Sequence, residues 1–254
     1  MTARVASAAG VVALATVAVA GCGWLGGRTL PPAVRAEAVA ALRAAPDTAW
    51  FEGSRRVGLQ AVPARRMLAA TPSNGALVLV IEDRGAGVGA RTIVALDVDS
   101  LALRSLAAVR EAACGAESAR VTVGPRRVMR AVARCGTGGR IDDFLRRAGP
   151  AFVARESLPL WLRAWLPDRA PHHDLALAVL PAAFDPPPFA PAPARLRIVD
   201  GGRISVPAGA FDTWKVAVAD ARGADLWWFE RSTPHRLVMW ETANGERWRR
   251  AGVP

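Results

Sequence analysis

Strand signals dominate the chain beyond Leu77, as apolar runs and as alternation with a period of two, which sends successive side chains to opposite faces of a β-strand. Leu77–Ile81 is a compact apolar run, Gly85, Gly87 and Gly89 mark a turn, and Thr92–Leu96 begins the return. A Gly-x-Gly-x-Gly spacing can cradle a phosphate, but only where it opens a helix that presents its amides; strands on both sides make this one a hairpin turn. Ala119–Val123 and Val128–Arg134 flank Gly124-Pro125 as a second hairpin. From Ala194 to Arg250 the pattern is β throughout. Leu196–Val199, Gly201-Gly202 and Arg203–Val206 are expected to form a hairpin, and Trp214, Val216 and Val218 alternate with Lys215, Ala217 and Ala219. Asp220–Gly223 turns the chain, and Leu226–Glu230, Leu237–Glu241, the Asn244-Gly245 turn and Glu246–Arg250 complete an antiparallel meander. Residues 50–71 carry no clean period and are read as one or two strands around Val57–Val62.

Three segments read as helices. In the first, Val34, Ala38, Ala41, Leu42 and Ala45 share a face between Pro32 and Pro46. Ile141–Pro150 has Ile141, Phe144, Leu145 and Ala148 on one face, Asp142 and Asp143 in the first turn and Arg146 and Arg147 in the last, a charge order that suits the helix dipole. Ser157 is placed to cap a third through Leu166. Leu158, Trp161, Leu162 and Trp165 share its face and Arg163 is its one charge, so the helix is apolar nearly all round and must be covered. Core packing does that, as would service as a lid over an apolar cavity or as a surface for membrane or partner. The pattern therefore predicts a mainly β, α+β domain with two or three short helices. Residues 181–193, with six prolines, read as a stiff extended crossing between two parts of the sheet.

The first residues change the picture from fold to address. Arg4 is the only charge among the first 27 residues, and Val5–Gly21 is apolar or small, ending Val19-Ala20-Gly21-Cys22. A positive start, an apolar stretch and small residues before a cut site make an export signal. The last four residues match a bacterial lipobox, in which cleavage precedes the cysteine and that sulfur is acylated; a plain cleaved signal and an uncleaved anchor are the alternatives. Gly23, being non-acidic, points to the outer membrane. The chain divides into residues 1–21 as lipoprotein signal peptide, 22–32 as tether and 33–254 as one β-rich domain.

The 254 residues are 52% hydrophobic and 22% charged, which fits a globular chain. The net charge is +11, yet Lys215 is the only lysine and the arginines are scattered in pairs at most. No recognition helix or nucleic-acid motif accompanies them, so no nucleic-acid partner is expected; weak attraction to anionic head groups remains open. With Cys22 lipidated, Cys114 and Cys135 are left. In an oxidising compartment they are expected to form a disulfide across the Gly124-Pro125 hairpin, two buried free thiols being the alternative. No metal is expected, since neither has a Cys-x-x-Cys partner or nearby histidine, and His172 and His173, adjacent in a strand, would point apart.

The last sixty residues carry a resemblance. Val206-Pro207-Ala208-Gly209-Ala210-Phe211-Asp212-Thr213 leads into a Trp-Lys-Val strand, followed by Leu226-Trp227-Trp228-Phe229-Glu230 and Pro234-His235-Arg236-Leu237-Val238. This order resembles a family of exported bacterial proteins of unknown function, with a Pro-Ala-Gly-x-Phe turn and a Trp-rich C-terminal meander. The stretch Thr92 to Leu101, with Asp97 and Asp99, is similar to that family's middle strands. The resemblance implies an architecture like the half-open barrel of periplasmic lipoprotein carriers and receptors: a curved antiparallel sheet with helices on its concave side. It implies no catalytic residue.

Function is read accordingly as a non-enzymatic envelope lipoprotein, facing the periplasm and binding a lipid, an apolar ligand or an envelope partner. Trp161, Trp165, Trp214 and Trp228 are the candidate cavity residues. A membrane-tethered structural or assembly factor without ligand is the alternative. A hydrolase is less expected: no Gly-x-Ser-x-Gly or His-Glu-x-x-His occurs, and no cofactor is implied.

Overall fold

A computed structural model describes residues 47–252 except 58, 86–88, 114, 125–127, 137–140, 148–151, 167–173 and 185–190, together with Ala36 and Ala40. The strands are β1 (Asp47–Val57), β2 (Gln60–Ser73), β3 (Ala76–Arg84), β4 (Ala90–Asp97), β5 (Leu103–Ala112), β6 (Gly115–Val123), β7 (Val128–Cys135), β8 (Ile141–Arg147), β9 (Phe152–Ala154), β10 (Asp174–Leu180), β11 (Ala192–Val206), β12 (Gly209–Asp220), β13 (Gly223–Glu230), β14 (Leu237–Glu241) and β15 (Arg247–Arg250). A single α-helix, α1 (Leu158–Trp165), follows a 3-10 turn at Arg155–Ser157. All the strands belong to one 15-stranded sheet, ordered β8-β7-β6-β5-β4-β3-β2-β1-β15-β14-β13-β12-β11-β10-β9. Two meanders thus run outward from a seam where β1 meets β15 through Phe51↔Arg250 and Gly53↔Trp248. Neighbours are antiparallel except β9 and β10, which are parallel and joined through α1, as a parallel pair requires a crossover.

The meander expected from the alternation is present, and the sheet is large, curved and open-ended. The helix count is not. Among the described residues α1 is the one helical element of any length. The expected helix at 33–45 lies outside the described residues apart from Ala36 and Ala40, both helical and exposed. Ile141–Arg147 is strand β8, paired from Val128↔Arg147 to Arg134↔Ile141. An isolated ten-residue helix is marginal in water, whereas the unpaired edge of β7 offers a full ladder of backbone partners; tertiary pairing overrides the local periodicity. Ser157 does not cap α1 with its side chain. It is already in the 3-10 turn, at φ −87° and ψ −5°, and its hydroxyl donates back to Ala154 O at 2.8 Å.

The expected hairpin at Gly201-Gly202 is also absent. β11 runs straight through it, with a register shift between Asp200 and Gly202, and the chain reverses at Pro207-Ala208, where Val206 faces Gly209. The glycines serve close approach instead of a turn: a Cβ on Gly201 would lie 2.5 Å from Thr213 Oγ1, and Gly202 has φ +65°, the signature of a bulge. Residues 50–71 resolve into most of the long β1–β2 hairpin, from Asp47↔Ala70 to Val57↔Gln60. The proline-rich segment joins β10 to β11, which are antiparallel neighbours.

The inner face follows from register. Phe51, Leu68, Leu79, Val94 and Leu106 on β1 to β5 are all buried, and Leu196, Ile198, Val216, Val218, Trp227 and Trp240 answer them from the other meander. All eight residues of α1 are buried, Arg163 included. The helix is therefore covered on every side, as its nearly all-round apolar surface requires.

Candidate functional site

The inner face has two chemically different ends. At one, α1 packs against the middle and start of β1. The gap there, lined by Ala49, Phe51, Leu68, Leu79, Pro159 and Leu160, holds ≈ 20 Å³, about the space of a single water. Arg163 crosses this end and its Nε donates to Pro234 O at 3.2 Å.

At the other end, where β1 finishes and β2 begins, the period of two that carries leucines inward runs on into charged residues. Arg66 faces Asp83 in register. Its Nη2 donates to Asp83 Oδ2 at 2.6 Å, its Nε bonds the other oxygen, and Arg55 Nη1 stands 3.7 Å from the same carboxylate. The Arg66 guanidinium lies over the indoles of Trp248 at 4.3 Å and Trp240 at 5.5 Å. Beneath it Trp227, Trp240 and Trp248 stack across three strands at 5.8 and 5.7 Å, with Phe51 edge-on to Trp240 at 4.8 Å. Gly53 makes room for this stack: a Cβ there would sit 2.2 Å from Arg247 O and 3.0 Å from Trp248 Cε3. Further round, Arg110 Nε bonds Glu117 Oε2 at 2.5 Å and its guanidinium lies 4.5 Å over Phe184.

The entry to α1 is clamped at this same end. Arg155 bridges Asp220 and Asp225 with its two Nη atoms. Asp225 also accepts the Ala243 N–H at 2.9 Å, and Glu156 Oε1 accepts the Ala183 N–H at 2.6 Å. Burial raises the pKa of Asp220, but the backbone and side-chain hydrogen bonds from Arg222 and the nearby charges of Arg155 and Arg222 outweigh it, and the net shift is downward. Asp97, similarly, is raised by burial but lowered further by bonds from Arg104, Ser100 and Asp99; it organises the turn after β4. Asp83, Glu117, Asp220 and Asp225 are each tied to a guanidinium. What this end offers is donors: the indole N–H groups of Trp227 and Trp248 and Nη1 of Arg55 are buried without a hydrogen-bond partner, at a cost of about 1–3 kcal/mol for each.

The four tryptophans expected to line a cavity are not brought together. Trp161 and Trp165 stack on each other at 6.1 Å within α1. Trp214 is half-buried against the core, under the Arg231 guanidinium at 4.0 Å. Trp228 faces the other side of its strand, where Lys215 is its register partner and lies 5.7 Å from its ring. Cys135 is disulfide-bonded; Cys22 and Cys114 lie outside the described residues, as do His172 and His173. Gly115 and Gly136, the neighbours of Cys114 and Cys135, approach closely: a Cβ on Gly115 would be 3.9 Å from Gly136 Cα.

On the outer surface, beside the seam, a groove of ≈ 1000 Å³ is lined by Glu52, Ser54, Arg65, Arg84, Arg247 and Arg249. Arg65 pairs with Glu52 and Arg247 with Glu241, both at 2.9 Å. No helix among the described residues is long and apolar enough to cross a membrane.

No family model and no curated protein matches the chain. Among solved structures it is similar to a beta-barrel-like protein of a domain of unknown function, DUF1849, from Brucella abortus, with a TM-score of 0.50 and 11% identity over 83% of this chain and 97% of that one. At that identity the likeness speaks for the barrel-like fold alone.

Proposed function

We propose that the protein is a non-enzymatic lipoprotein of the bacterial cell envelope, held by a lipid on Cys22 and facing the periplasm, that acts through its outer surface on an envelope partner. The complete burial of α1 in the concavity, with a gap of only ≈ 20 Å³ beside it among the described residues, is the observation that carries this reading. Sites for small ligands have volumes of about 300–1,000 Å³; the gap beside α1 holds ≈ 20 Å³, and the groove of ≈ 1000 Å³ lies on the outer surface. An acyl chain could enter there only if α1 left, and α1 is fastened by Arg155 to β12 and β13 and by Arg163 to Pro234. The role is then that of a tethered binding or assembly factor, with Trp161 and Trp165 as plug. The address rests on the lipobox Val19-Ala20-Gly21-Cys22 and on Gly23, which favours the outer membrane. An oxidising compartment also suits the disulfide at Cys135, for which Cys114 is the proposed partner.

Growth with radiolabelled palmitate tests the address. The wild-type chain should take up label and sediment with the outer membrane, and Cys22→Ser should take up none. Label in Cys22→Ser, or none in the wild type, would overturn the reading.

A further inference from the structure

We propose that the convex face of β3–β5 is a docking surface for an anionic lipid bilayer; this rests on the envelope reading above. An antiparallel sheet with one solvated face carries polar residues outward. Here the middle of the outward face is apolar across three strands, between Glu82 and Arg91 on one side and Ser105 on the other. Register sets Val80, Ile93 and Ala107 in one row, Val78 and Ala95 in the next, and Val109 beside Arg91. Ile93 is 36% and Val109 52% exposed. The middle of the face is thus apolar on its outside as well as on its inside, which fits a surface that becomes covered.

The charges beside this face indicate what covers it. Arg65, Arg84 and Arg91 border it with side chains 68%, 68% and 60% exposed, and among the described residues their carboxylate partners are Glu52 and Glu82. Arg120, the register partner of Ala107, is exposed on the opposite border. The basic groove with Arg247 and Arg249 continues the positive edge past the seam. An apolar centre with guanidiniums at its margin matches a leaflet whose phosphates lie above its acyl chains. A second copy fits less well, because two-fold pairing would set one arginine border against the other.

The test is arginine modification by phenylglyoxal, read residue by residue by mass spectrometry. The full chain is mixed with vesicles of phosphatidylcholine, alone or with phosphatidylglycerol. Arg65, Arg84 and Arg91 should be protected about five-fold or more by the anionic vesicles over the neutral ones, while Arg203, 70% exposed on β11, should react equally in both. Ile93→Asp, an outward change that spares the core, should abolish the difference. Equal reaction in both vesicle types overturns the proposal. So does protection without vesicles, whether it rises with protein concentration (a second copy) or follows addition of duplex DNA. Co-flotation separates the two readings: a chain that floats with neutral vesicles but shows no anionic protection keeps its anchor and loses this surface. One that floats only with anionic vesicles keeps the surface and loses the anchor, and one that floats with neither loses both.

Discussion

Replacing Trp165 by alanine should turn the plugged concavity into a binding cavity, at a large cost in stability. Trp165 is 1% exposed, stacks on Trp161, and belongs to a helix buried on every residue. A buried tryptophan removes about 150–250 Å² from water, worth about 4–6 kcal/mol at the usual area coefficient. That figure is an upper bound, because the unfolded chain already hides part of the ring. Measured losses for buried Trp→Ala changes are about 3–5 kcal/mol, including the term for the void left behind, so about 4 kcal/mol is expected. Against a typical total of about 5–15 kcal/mol the variant should still fold, with its urea midpoint lowered and its m-value unchanged. An apolar void of this kind stays dry and takes up small apolar molecules, so a fluorescent fatty-acid probe should bind the variant and leave the wild type untouched. A loss below about 1 kcal/mol, or equal probe binding by both proteins, would refute the claim that the interior is filled.

Gly53→Ala should weaken the seam between the two meanders, since the new Cβ would meet the Arg247 carbonyl at 2.2 Å and backbone cannot yield cheaply; a thermal melt should show a loss of about 1–3 kcal/mol or more. Asp220 makes stability pH-dependent: its pKa is lowered in the folded state, so its contribution is complete above the unfolded value of about 3.9 and is lost as pH falls below it. Melts of the wild type across that acid range should fall more steeply than those of Asp220→Asn. Cys135→Ser should cost about 2–4 kcal/mol by chemical denaturation, and if Cys114 is the partner, Cys114→Ser and the double variant should cost no more than Cys135→Ser alone.

Much of the sheet was legible because its signals are local. The alternation Trp214-Lys215-Val216-Ala217-Val218, the turn Asn244-Gly245 and the glycines around 85–89 each specify a strand or a reversal within a few residues. β8 was not, because Ile141, Phe144 and Leu145 fit a helix as well as a strand and only the waiting edge of β7 decides between them. Gly201-Gly202 was misleading for a related reason. Two glycines fit a turn and a bulge equally, and the choice depends on Thr213 lying opposite. The inner charges left a readable trace, since the inward series Leu77, Leu79, Ile81 continues to Asp83 and the series Leu106, Ala108 to Arg110. Their pairing was hidden, because Arg155 meets Asp220 and Asp225 only through the path of the whole chain. The same holds for the tryptophans. Trp227, Trp240 and Trp248 stack because adjacent strands place them side by side, and no spacing within one strand announces that.

The most direct measurement of the central claim is native mass spectrometry of the chain extracted from envelopes in mild detergent. The expected species begins at Cys22, carries its acyl groups covalently and releases no further lipid on collisional activation. A non-covalent lipid retained at one per chain, or a chain whose Cys22 is bare, would contradict it.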